Sequence, residues 1–282
     1  LARVEIQASD LTLVADIEGP EEASTVVLLH GGGQTRHSWA DAMRALVERG
    51  YRVISYDARG HGDSGWSAAG AYGLDDRADD LAAALHGTKG PFALVGASLG
   101  GATAIQAAAR GLRPAALALV DIVPDAEPQG VARIVNFMRG HPGGFASLDE
   151  AVDAVAAYNP ERPRPSDPTG LMRNLRQGDD GRLRWHWDPR IVETEPHVHH
   201  DAVRRSARIL AETTLPVLLV RGLRSDVVSD AGVEAFRRMI PWLEVDDVAG
   251  AGHMVAGDRN DAFNAGVLSF LDRHMPVTGV RA

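Results

Sequence analysis

The sequence predicts a doubly wound α/β fold: a mostly parallel sheet with helices on both faces and a helical cap inserted into one connection. Three observations carry this. Short apolar runs without strict alternation recur along the chain, as strands buried on both faces of a parallel sheet require. Segments with apolar residues at three- and four-residue spacing lie between them. The rhythm lapses once, between about residues 122 and 213, and then resumes.

In chain order, residues 3–6 and 11–17 read as an antiparallel entry hairpin. Buried strands are expected at 25–29, 52–56, 92–95, 115–120, 217–220 and 243–248, with helices at 39–49, 75–85, 99–110 and 232–239. The lapse carries Pro124, Pro128, Pro142 and the Pro- and Arg-containing run 160–168, a stiff hinge or cap loop, with helix-like pieces at 131–138 and 148–158. The expected division is a core of 1–123 and 214–282, interrupted by a cap of 124–213. Insertions of this size usually serve binding.

Composition narrows the function classes. The 282 residues are 45% apolar and 24% charged, in the range of soluble globular proteins. A net charge of −9 argues against nucleic acid and anionic membranes as partners, says little about the substrate, and leaves open a monomer or a homodimer. With no cysteine, covalent chemistry falls to oxygen or nitrogen, and thiolate zinc sites drop out. No apolar run approaches the roughly 20 residues of a membrane helix. The chain begins at Leu1 without a signal-like opening, and cytoplasmic residence is the default expectation.

Gly96-Ala97-Ser98-Leu99-Gly100 matches the Gly-x-Ser-x-Gly elbow in the required setting, directly after a strand and opening a helix. A serine hydroxyl needs an imidazole to take its proton, and the imidazole needs an acid to fix its tautomer. Asp226 follows the strand 217–220, and His253 follows the last strand within Gly250-Ala251-Gly252-His253. Ser98, Asp226 and His253 therefore obey the order serine, acid, histidine, with Asp121 and Asp230 as other candidates for the acid. His30-Gly31-Gly32-Gly33 follows the strand 25–29. One oxyanion N–H is expected from Leu99 and a second from Gly32, or failing that Gly33. The loop lacks the spacing of a phosphate-binding turn, and no cofactor or metal is expected.

These residues, with the strings from His30 to Trp39 and from Tyr56 to Ser64, resemble the α/β-hydrolase superfamily, in its cofactor-free haloperoxidase, esterase and epoxide-hydrolase-like branch. The resemblance implies a serine hydrolase whose partner is a small-molecule substrate, a carboxylic ester or lactone cleaved through an acyl-enzyme. Gly32 departs from the often bulky residue of that branch. Ser98 disfavours the members that use an aspartate nucleophile. Carbon–carbon bond hydrolases, perhydrolases and non-catalytic receptors of the same fold are the alternatives. Trp39, Trp185, Trp187 and Tyr158 are the candidate substrate-lining residues, although the aromatics of Trp185-His186-Trp187-Asp188, read as a cap turn, could equally pack the cap. His197-Val198-His199-His200 reads as a solvated cap loop, and Asp57 and Arg59 as braces of the loop after their strand.

Overall fold

In the computed structural model the described residues are all except 161–163, 165–166, 194–195, 256–259 and 278–282. Strands β1 (Ala2–Gln7) and β2 (Thr12–Glu18) form the entry hairpin and are followed by β3 (Thr25–Leu29), α1 (Ala40–Glu48), β4 (Arg52–Tyr56), α2 (Leu74–Ala84), β5 (Phe92–Ala97), α3 (Leu99–Ala109) and β6 (Ala116–Val120). The insertion holds α4 (Pro128–Arg139), α5 (Leu148–Tyr158), a small hairpin of β7 (Leu175–Gln177) and β8 (Leu183–Trp185), and α6 (Pro196–Leu210). The chain returns through β9 (Val217–Gly222), α7 (Asp230–Met239), β10 (Glu244–Val248) and α8 (Asn260–His274).

The main sheet runs β1-β2-β4-β3-β5-β6-β9-β10. The β1–β2 and β2–β4 pairs are antiparallel and the rest parallel. Period-two alternation divides each inner strand between two cores. Val27, Leu29, Leu94, Leu117 and Leu119 face α2, α3, α6 and α7. Val26, Leu28, Val95, Ala118 and Val220 face α1 and α8. Burial on both faces explains the continuous apolar runs.

Two expectations for the insertion are corrected. Trp185 ends a strand rather than lying in a turn, because within the mostly helical insertion β7 and β8 pair as a small hairpin outside the main sheet. Residues 197–200 lie in the first turns of α6, not in a loop; Val203, Ala207 and Leu210 at four- and three-residue spacing seat this helix in the core of the α3 face. Of the 160–168 run, residues 161–163 and 165–166 fall outside the described residues. Among the described residues no helix is long and apolar enough to cross a membrane.

Candidate active site

β5 ends at Ala97 and α3 starts at Leu99, leaving Ser98 alone at the turn, with φ +46° and ψ −113°. That left-handed conformation is costly for a side chain and persists only where its surroundings impose it. The flanking glycines supply the room. A Cβ on Gly96 would lie 2.6 Å from the Gly100 backbone, and one on Gly100 would collide with the Leu29 carbonyl at the end of β3. The Gly-x-Ser-x-Gly spacing thus follows from the close approach of strand, helix and neighbouring strand. The Leu99 N–H, first in α3, has no partner within its own helix.

His253, half-buried on the loop after β10, donates from Nδ1 to Asp121 Oδ2 at 2.7 Å. Asp121 is fully buried at the C-terminal end of β6, itself at φ +50°. Its carboxylate also accepts Ser225 Oγ at 2.5 Å and the Gly222 N–H at 3.1 Å. The assignment of Asp226 is therefore corrected. Asp226 faces away, 38% exposed and paired with Arg133 of α4 at 3.1 Å, because its stretch is tied to the cap through Glu127 N–H donating to Val227 O at 2.8 Å. Asp230 pairs with Arg221 at 2.6 Å and opens α7 behind its N-cap Ser229. The strand preceding Asp121 lies between β5 and β9, so either carboxylate was topologically reachable from the sequence.

The two loop strings interlock. Asp57 accepts the Arg36 N–H at 2.7 Å, Arg36 Nη1 at 2.5 Å and the Asp63 N–H at 2.8 Å. Arg59 forks onto Asp80 at 2.6 and 2.7 Å, so both residues brace the loop as expected. His30 donates from Nδ1 to Gly31 O and accepts the Ala58 N–H. His61 accepts the Gly33 N–H at 3.1 Å, and His186 accepts the Gly62 N–H while facing Gly33 O. All three rings are acceptors, and burial holds each below the ordinary histidine pKa, His186 down to about 4. Gly31 N–H goes to Gln34 Oε1 at 2.9 Å. Gly33, whose N–H is committed to His61, is thereby corrected as an oxyanion donor, whereas among the described residues the Gly32 N–H has no partner.

Gly32, Ser98, Leu99 and Asp121 line one cavity of about 330 Å³. Most of its other walls are apolar: Ile122, Val123 and Ala126 after β6, Val131, Ile134, Val135 and Met138 of α4, and Val203 of α6. Sequence reasoning missed these, and also Arg77, His199 and His200, which line the same cavity. The amphipathic 131–138 repeat was the available signal for α4. The expected substrate-lining aromatics lie elsewhere. Trp39 is core, 5.6 Å from Phe263 on the far face of the sheet. Tyr158 stacks on Phe137 at 4.3 Å, and Trp185 and Trp187 stack on each other at 5.0 Å within the cap core. The two tryptophans border a second cavity of about 480 Å³, which shares only Met138 and Val192 with the first.

Residues 26–265 match the model of the alpha/beta hydrolase family. The chain is 32% identical over 265 residues to the esterase Rv0045c of Mycobacterium tuberculosis, covering 89% of this chain and 83% of that protein. It is 26% identical over 269 residues to the non-heme chloroperoxidase of Burkholderia pyrrocinia, covering 90% and 93%. A solved alpha/beta hydrolase from Novosphingobium aromaticivorans superposes with a TM-score of 0.78 at 26% identity, over 96% of this chain and 98% of that one.

Proposed function

Because the chain belongs to the alpha/beta hydrolase family, we propose that it is a serine esterase cleaving a small carboxylic ester or lactone through an acyl-enzyme. His253, held by Asp121, takes the Ser98 proton as Oγ attacks the carbonyl. The oxyanion is received by the N–H groups of Leu99 and Gly32. Collapse expels the alcohol, protonated by His253, and water activated by the same imidazole releases the acid and restores Ser98. The segment 124–213 acts as the lid that shapes the pocket.

The observation that carries this reading is the 2.7 Å bond from His253 Nδ1 to a buried Asp121. It leaves Nε2 as the basic nitrogen, in a protein whose strained Ser98 faces the cavity that Asp121 also lines. Ser98→Ala is expected to abolish labelling by a fluorophosphonate and to lower aryl-ester turnover by at least about 1,000-fold. Labelling that persists in the variant refutes the assignment.

The likeness to a non-heme chloroperoxidase favours a second activity of the same acyl-enzyme, with hydrogen peroxide as acyl acceptor in place of water. Peracid formation from acetate ester and peroxide, absent in Ser98→Ala, is its test.

A further inference from the structure

Arg77 stands apart from every other arginine described above. It projects from α2, is 3% exposed, and lines the same cavity as Ser98, Leu99 and Ala102. Its Nε donates to Tyr72 O at 3.2 Å and its guanidinium lies 6.0 Å from the Tyr72 ring. Among the described residues its buried Nη1 has no hydrogen-bond partner. The neighbouring carboxylate, Asp80, is already engaged by both arms of Arg59. Burial lowers the Arg77 pKa to about 10, which leaves the group cationic at neutral pH. A buried guanidinium without a bound carboxylate is costly to keep, and its planar fork of donors matches two carboxylate oxygens.

The rest of the cavity adds one polar side to an otherwise apolar chamber. His199 of α6 lines it and lies near enough to Arg77 for that charge, together with burial, to hold its pKa below the ordinary value. A neutral imidazole can donate one hydrogen bond but brings no second positive charge. His200, which also lines the cavity, faces Asp125 at 3.8 Å. Arg77 is thus the one permanent cation among the described lining residues, which suits one monoanion, and a planar carboxylate fits better than a dianionic phosphate.

We propose that Arg77 is a substrate-binding residue whose guanidinium receives a carboxylate carried by the ester itself, so that the pocket selects small monoanionic esters over neutral ones of equal shape. This rests on the esterase reading for its catalytic consequence, but not for binding.

Two substrate pairs test it. p-Nitrophenyl hydrogen glutarate against p-nitrophenyl 5-methylhexanoate places the carboxylate on the acyl side, and 4-acetoxybenzoate against 4-isopropylphenyl acetate places it on the alcohol side. With each rate normalised to alkaline hydrolysis, kcat/KM in the unmodified protein should favour the anionic member of at least one pair by roughly tenfold or more. Arg77→Met should erase that ratio and Arg77→Lys should restore part of it. A ratio at or below one in both pairs, or one that Arg77→Met leaves unchanged, overturns the proposal and marks Arg77 as structural only.

Calorimetry with monomethyl glutarate and the Ser98→Ala protein needs no turnover. Saturable binding is expected, lost on adding Arg77→Met, and absence of binding counts against the subsite. Should Arg77→Met fail to fold, the ratios and the binding seen with the native arginine still decide. Binding without Ser98 labelling would sink the esterase reading and keep the subsite; ester turnover with neither charge preference nor binding would do the reverse.

Discussion

Among the described residues three non-glycine positions hold a positive φ, and two of them are Ser98 and Asp121. Both stand at the C-terminal ends of adjacent parallel strands, where the chain must leave the sheet abruptly to project a side chain over its edge. Such backbone persists only where the surroundings impose it, here the close approach of β5, β6 and their neighbours; the third position, His141, lies in the cap. Which carboxylate meets His253 follows from the same local geometry. Asp121 offers its carboxylate to His253, Ser225 and Gly222, whereas Asp226 pairs with Arg133 at the surface. Asp121→Asn should therefore lower kcat by about 1,000- to 10,000-fold, because the amide can stabilise the wrong imidazole tautomer. Asp226→Asn should change kcat less than about threefold, since an exposed ion pair contributes little. Steady-state kinetics on p-nitrophenyl butyrate checks both, and the opposite ranking would return the role to Asp226.

The cap helices set the shape of the pocket, and their two faces were unequally legible. In α4 the apolar residues Val131, Ile134, Val135 and Met138 repeat at helical spacing and all reach the cavity. In α6 the leading proline and histidines read as a loop, yet Pro is favoured at the first position of a helix, and Val203, Ala207 and Leu210 carry the helical period behind it. Met138 is the pivot of the wall. It lies over Gly32, borders both cavities, and its carbonyl accepts Trp187 Nε1–H at 3.3 Å. Truncation should join the two cavities. Met138→Ala is expected to raise kcat/KM for bulky acyl esters relative to acetate and to cost about 2 kcal/mol of stability. An acyl-chain series with urea denaturation measures both effects, and an unchanged chain-length profile would place the boundary elsewhere.

Across the whole molecule, His30, His61 and His186 join the loops after β3 and β4 to the cap, each as the neutral acceptor of a backbone N–H. Their folded pKa values are depressed by burial, that of His186 to about 4. Below the unfolded value of about 6.5 the unfolded chain takes up protons first, so stability is fully present above that pH and is lost as pH falls toward 4. His186 alone corresponds to about 3 kcal/mol of this loss. Urea midpoints should fall steeply from pH 6.5 to 4.5 and less steeply in His186→Gln; equal slopes would refute the linkage. The sequence by itself determined the layered fold, the strand–turn–helix elbow at Ser98 and the histidine after the last strand, because periodicity and glycine spacing are local demands of backbone and packing. Tertiary structure alone decided which carboxylate meets His253, which glycine N–H stays free among the described residues, and that Arg77 lines the cavity while Trp39 packs in the core. Those outcomes depend on which strand ends lie side by side and which partners are already taken, relations between segments distant in the chain.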